Sequence, residues 1–188
     1  MLKGNRIKLV APRKAFIPTF TQWLNDQDLL QYLIMYKPMT LEAEEKWYES
    51  MINRDDEIFF SIMKIADKDH PDAKAQLIGN LSIRIDAKNR VGNIGIMIGE
   101  KSVWGQGYGT EALKLLIEYA FNNLNLQRVE LEVFSSNPRA QHCYEKVGFR
   151  KEGVRRNAVF IQGRYVDSIM MGLLLEEWKI NTTKERRS

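Results

Sequence analysis

A single cysteine, Cys143, stands in the 188 residues, so no internal disulfide can form and a reducing compartment is expected. Long apolar runs are missing as well. No stretch approaches the roughly 18 to 20 residues of a membrane span, and the opening Met-Leu-Lys-Gly-Asn-Arg has charge but no apolar segment behind it, so neither membrane nor secretory leader is expected and the chain is assigned to the cytoplasm. Histidine is scarce. His70 and His142 have no metal-spaced partners, which leaves no metal expected. A strong charge of one sign is absent too: of the net +4, the tail at 179–188 carries +3 through Lys179, Lys184, Arg186 and Arg187 against Glu185. The body is therefore almost neutral, which is not the electrostatic footprint of a nucleic-acid domain. No repeat or linker divides the chain, so residues 1–178 are expected to form one domain and 179–188 a basic, disordered tail.

What is present is a globular composition, 44% hydrophobic and 28% charged, and one conspicuous loop. Trp104 to Ala112 runs Trp-Gly-Gln-Gly-Tyr-Gly-Thr-Glu-Ala, placing Gly105, Gly107 and Gly109 between an apolar run and an amphipathic helix. Glycine has no Cβ, so these positions can take positive φ and let a ligand approach bare backbone. The helix leaves its first N–H groups unpaired at the positive end of its dipole, a seat suited to phosphate. Two familiar phosphate loops are excluded: no Lys-Ser or Lys-Thr follows Gly109, and the dinucleotide glycine spacing with its acidic partner is missing.

Period and punctuation supply the rest. Strands are predicted at 7–10, 58–65, 76–85, 91–98 and 128–134, with closing strands at 149–155 and 165–174 and a polar turn at 67–74. Helices are predicted over 15–33 with a break near 25–28, after Thr40 with Trp47, Met51 and Ile52 as the buried stripe, over 110–123, and over 138–146 between Pro138 and Gly148. The order is an α+β mixture around one sheet.

From about residue 76 to 178 the chain resembles the GNAT superfamily of acetyl-CoA-dependent N-acetyltransferases. The parts that carry the resemblance occur in order: the strand ending at Ile98, the glycine loop, Leu131-Glu-Val, Asn137-Pro-Arg-Ala, and Tyr144-Glu-Lys-Val-Gly-Phe. Asn137, Tyr144 seven residues on, and then Gly148-Phe149 are far more specific than the glycines alone. The closing Gly153-Val-Arg-Arg and Gly163-Arg-Tyr-Val-Asp-Ser are similar to the branch of ribosomal-protein N-terminal and spermidine acetyltransferases. Trp104 departs from the Arg or Gln that often opens the loop, although aromatic residues are familiar there in this branch. The resemblance implies a mixed, mostly antiparallel sheet of six to seven strands with helices on both faces. In it the fourth and fifth strands, here 91–98 and 128–134, splay apart to admit the pantetheine arm.

Carried over residue by residue, the resemblance sets Ile96, Met97 and Ile98 beside the pantetheine and thioester. Gln106, Gly107, Tyr108, Gly109 and Thr110 fall under the pyrophosphate, Asn137 across the pantetheine, and Arg139 or Lys146 near the nucleotide phosphates. Tyr144 falls at the tyrosine that faces the CoA sulfur, a phenol protonated at neutral pH and suited to act as acid to the departing thiolate. Glu132, twelve residues earlier, is the candidate base, with a water chain as its competitor and a solvated acidic face shared with Glu130 as the plain alternative. Trp23, Tyr32 and Tyr36, with Arg155 and Asn157 on the opposite lip, are candidates to grip the acceptor. Cys143 is expected to pack as a thiol. The acceptor is expected to be a small-molecule amine (polyamine or amino sugar) or a peptide N-terminus, with a homodimer as a compatible assembly. A non-catalytic CoA-binding module of the same fold is the alternative. A polyamine or aminoglycoside site needs several acids, for which Asp26, Asp28, Asp55, Asp56 and Glu57 are available.

Overall fold

The computed structural model describes residues 1–65 and 75–185; the predicted turn at 67–74, with His70, lies outside the described residues. Eight strands form one sheet: β1 (Leu2–Lys3), β2 (Ile7–Val10), β3 (Glu57–Lys64), β4 (Gln76–Asp86), β5 (Val91–Ile98), β6 (Arg128–Phe134), β7 (Arg150–Ile161) and β8 (Arg164–Leu174). Their spatial order is β1-β2-β3-β4-β5-β6-β8-β7. The strand beyond the predicted seven is the two-residue β1, too short to leave a periodic signal. All neighbours run antiparallel except β5 and β6, as expected for two strands joined through a helical crossover.

The described residues also hold six α-helices: α1 (Ile17–Trp23), α2 (Gln27–Leu30), α3 (Leu41–Met51), α4 (Tyr108–Asn122), α5 (Pro138–Val147) and α6 (Leu175–Glu185). The predicted break near 25–28 is real, and Asp26 caps α2 by accepting from the Asp28 amide. Thr40 caps α3 in the same way through the Ala43 amide. At the far end of α5, Gly148 takes φ 112°, a left-handed stop that a side chain would oppose.

Because side chains alternate along strands, the sheet feeds two cores. Ile78, Leu81 and Ile83 pack with Leu113, Leu116 and Ile117 of α4 on one face. On the other, Leu77 and Met97 meet Phe20, Trp23 and Leu29 of α1 and α2. The closing hairpin is longer than predicted, since β7 continues through two irregular registers to a turn at Gln162 and Gly163. The chain beyond Trp178, predicted to be a disordered tail, continues the helix as far as Glu185. Trp178 supplies the reason, with its ring 5.3 Å from that of Phe121, which anchors a segment whose own pattern is polar.

Candidate active site

β5 pairs with β4 along its whole length but with β6 only at Val91, Gly92 and Asn93. Beyond Asn93 the strands part, and alternate backbone groups of residues 94–98 face a gap instead of a strand. The gap opens into a cavity of about 840 Å³. Its wall carries Ile96, Met97 and Ile98 from β5 and Glu132, Val133 and Phe134 from β6. The glycine loop closes one end.

Gly105 and Gly107 take φ 74° and 82°. Gly109 does not, because the helix begins at Tyr108, two residues earlier than the apolar period suggests. No side chain caps α4, so its leading amides are left to solvent or ligand. Gly107, Tyr108, Gly109 and Thr110 all line the cavity. Gln106 does not; its backbone carbonyl accepts from Arg6 Nη1 at 2.9 Å and its side-chain Nε2 donates to the Ser102 carbonyl at 2.8 Å. Arg6, with no motif to mark it, also pairs with Glu111 at 3.0 Å and lies over the Tyr108 ring at 4.5 Å. It thereby ties the start of the sheet to the loop.

Trp104 explains its own departure from the superfamily pattern. Its indole N–H donates to the Ile98 carbonyl at 2.7 Å, holding the end of β5, and the Arg139 guanidinium stacks on its ring at 3.8 Å. Tyr32 meets Trp104 edge-on at 6.4 Å. Arg139 and Lys146 both line the cavity. Asn137 lines it too, while its side-chain oxygen caps α5 by accepting from the Ala140 amide at 3.1 Å.

α5 projects Tyr144 into the same cavity. The residue is 8% exposed, its ring packs against Phe149, and its hydroxyl has no hydrogen-bond partner among the described residues. Burial, and secondarily Cys143, push the phenol well above its ordinary value, so it keeps its proton. Cys143 shares a hydrogen bond with Thr110 Oγ1 at 3.2 Å, and burial raises its thiol as well, in keeping with the expected packing role. Glu132 Oε2 accepts from Arg155 and, at 2.8 Å, from the buried Ser168 hydroxyl. Glu130, its predicted partner on an acidic face, is instead held by Arg128 at 2.9 Å.

The acceptor residues chosen from sequence fare less well. Tyr32 lines the cavity. Trp23 does not: it is buried against Phe20 and Leu29, with the backbone of Gly99 against its ring, because a helix stripe fills the core before it lines a cleft. Tyr36 is almost wholly exposed and meets Lys37. Arg155 is spent on Glu132. Asn157 sits in the β7 irregularity at φ 49°, its amide donating to Asp167. The five acids also lie off the cavity. Asp26 and Asp28 share Lys101, both at 2.8 Å; Asp56 and Glu57 are held by Arg54 and Arg84; Asp55 is exposed.

The acid from the first half of the chain that does line the cavity is Glu44, which sequence analysis missed. It is 3% exposed, and burial raises its carboxyl to about 7. The sign was there: Glu44 stands three residues before Trp47 and seven before Met51, on the inward stripe of α3 where an apolar residue belongs. Of the three residues assigned to that stripe only Met51 is buried; Ile52 is exposed, and Trp47 lies partly open at the cavity.

Comparison with known proteins agrees with this geometry. Residues 6–150 match the acetyltransferase (GNAT) domain family. A probable N-acetyltransferase of Bacillus subtilis, YjcK, is 32% identical over 140 residues, 72% of this chain and 73% of that protein. The spermidine N(1)-acetyltransferase of Vibrio cholerae is 28% identical over 155 residues, 82% and 84% of the two chains. The crystal structure of spermidine N-acetyltransferase from Vibrio cholerae with CoA and spermine superposes with a TM-score of 0.83 at 25% identity, covering 94% of this chain and 99% of that one. With its splayed β5 and β6 and its uncapped, glycine-led helix on one cavity, the chain belongs to the GNAT family of N-acetyltransferases.

Proposed function

We propose that the protein transfers acetyl from acetyl-CoA to a primary amine by direct attack of the amine on the thioester. The observation that carries this reading is the meeting, in one cavity, of the unpaired edge of β5, the uncapped start of α4 and the buried phenol of Tyr144. These parts fit the cosubstrate. Residues 96–98 offer backbone partners to the pantetheine amides, and the leading amides of α4 with Gly107 offer donors to the pyrophosphate. Arg139 and Lys146 supply charge for the nucleotide phosphates. Bound there, acetyl-CoA supplies the electrophilic carbonyl.

The chain's own groups then have three tasks. A free N–H at the parted end of β5 donates to the carbonyl oxygen as it gains charge. Oε1 of Glu132, the oxygen that Arg155 and Ser168 leave open, takes the proton that the amine gives up, directly or through water. Tyr144 answers the charge that forms on sulfur as the carbon–nitrogen bond forms and the carbon–sulfur bond breaks. An ordinary phenol lies about 1.5 units above a thiol, and burial widens that gap, so the hydroxyl acts first as a hydrogen-bond donor to the departing thiolate. Full proton transfer comes late.

The acceptor classes are polyamines, which the Vibrio cholerae relative suggests, amino sugars and peptide N-termini. The test is thiol release from acetyl-CoA across these amines, together with Tyr144→Phe. The variant should lose roughly 10²-fold in kcat, within the range for acid catalysis, with acetyl-CoA affinity unchanged. A loss below about threefold, with acetyl transfer shown to limit the rate, returns Tyr144 to a packing role.

A further inference from the structure

Two acids line the cavity among the described residues, Glu132 and Glu44, and they are differently placed. Glu132 is tied to Arg155 and Ser168. The Glu44 carboxyl has no hydrogen bond or ion pair among the described residues, although the residue is only 3% exposed. A carboxyl so placed is costly unless something fills its cavity and bonds to it. The cavity's lining from the first half of the chain is largely apolar, with Leu33, Met35, Met39, Trp47 and Phe59 against the polar Asn80 and Ser82. Of the nearby polar groups, Ser82 already donates to Glu57 at 2.9 Å.

We propose that Glu44 receives the amino group of the acceptor, and that the acceptor is a primary amine with a single positive charge on an apolar body. This rests on the acetyl-transfer reading above and narrows its acceptor. The charge count excludes a polycation. One unpaired carboxyl balances one ammonium, and each further ammonium in this apolar chamber stays uncompensated at a cost of several kcal/mol. Every other acid near the first helices lies off the cavity, and Asp26, Asp28, Asp56 and Glu57 among them are already held by Lys101, Arg54 or Arg84; the cavity's other end, lined by Arg139 and Lys146, adds no further acid. Glu44 also suits the chemistry, because a carboxyl raised to about 7 lies close to an α-amine of about 8 and far below an alkylamine of about 10.4. The amine can share its proton with Glu44 and enter with its lone pair available.

The test combines calorimetric titration of amines into CoA-saturated protein with steady-state thiol release from acetyl-CoA. The probes are leucinamide, a tetrapeptide beginning with leucine, phenethylamine and spermidine. Leucinamide should bind at least about tenfold more tightly than spermidine. Glu44→Gln should raise the leucinamide Kd and KM about tenfold, within the range of a lost charge-assisted hydrogen bond, while leaving acetyl-CoA affinity unchanged; Glu44→Asp should recover part of the loss. A preference for the tetrapeptide points to a peptide N-terminus and one for phenethylamine to a free monoamine, and both support the assignment. Spermidine binding best, or leucinamide parameters in Glu44→Gln that overlay the parent's, overturns it. Absence of thiol release with every amine defeats the acetyl-transfer reading separately, since binding of leucinamide and its loss in Glu44→Gln are read without turnover.

Discussion

The two ends of the cavity are built on different principles. The end under β5, α4 and α5 is a backbone site. Its donors are main-chain amides, and its conspicuous residues are those that let backbone be approached, such as Gly107 at φ 82°, or that fix where the backbone lies, such as Trp104 on the Ile98 carbonyl. The other end, under α2 and α3 and proposed above for the acceptor, is lined by side chains from separate elements, Glu44, Trp47 and Phe59 among them. A backbone site constrains contiguous residue types and keeps them recognisable. A side-chain site can be refilled one residue at a time, which is how relatives sharing one cofactor can differ in acceptor.

The sharpest way to test that contrast is pH. Burial raises Glu44 from an ordinary value of about 4.5 to about 7, with Glu132 as the other acid on the cavity and Arg139, His142 and Lys146 as its basic residues. No cation opposes the shift. Between these two values the folded state binds the extra proton, so stability contributed by the neutral carboxyl is present below about pH 4.5 and is lost as pH rises through 7. The gap is worth at most about 3 kcal/mol. Thermal melts from pH 5 to pH 8 should show this decline in the parent and a flatter curve in Glu44→Gln, which should be the more stable protein at pH 8. Identical slopes would mean that Glu44 is solvated in the folded state and the acceptor end is not the dry chamber described.

The backbone site makes an opposite demand, and here smaller effects separate fold from function. At Gly107 a side chain meets left-handed strain of about 1–2 kcal/mol, while the space itself is open to within 3.4 Å of the flexible end of Arg6. At Gly109 the φ is ordinary, and an added Cβ meets Ile98 and Cys143 at 3.6 and 3.9 Å, normal contact distances. Gly107→Val should therefore lower the melting temperature by a few degrees and weaken acetyl-CoA binding about tenfold in calorimetry. Gly109→Ala should melt no lower than the parent, given alanine's better helix propensity, yet still bind acetyl-CoA a few fold more weakly. Unchanged affinity in Gly109→Ala would confine the effect to strain at Gly107 and remove the bare-backbone seat.

The same division governs what could be read in advance. The strand at 128–134 was legible to the residue because its side chains alternate, and that at 91–98 because a β-branched apolar run stands between turn residues, while Gly148 marked the end of α5 because a left-handed residue stops a helix that way. The start of α4 was misplaced by two residues, since Tyr108 and Gly109 have no helical period behind them. At the acceptor end, Trp23 and Tyr36 were chosen by residue type, and type does not say whether an aromatic ring faces core, cleft or solvent. Arg155 and the acids at 26, 28, 56 and 57 were free charges in the sequence and became ion pairs once distant strands and loops met. Glu44 alone left a trace, as an acid on an inward stripe.

Glu132 sits where the two ends meet, and it carries the smallest effect expected here. It is on β6 beside the cofactor gap, yet its carboxylate is held by Arg155 from β7 and Ser168 from β8. Its side chain is 42% exposed, so water can stand in for it. Glu132→Gln keeps the size and the Ser168 contact while removing basicity. It should lower kcat/KM about fivefold, short of the 10²-fold or more of an irreplaceable base, and alter the acidic limb of the pH–rate profile without changing acetyl-CoA affinity. Glu130→Gln, whose parent residue is held by Arg128 off the cavity, should leave that profile intact. If both variants overlay the parent, the proton leaves through water alone and the base role passes from Glu132. A loss of 10²-fold in Glu132→Gln would instead make the meeting point of the two ends the seat of the proton transfer, with Arg155 and Ser168 as the groups that aim it.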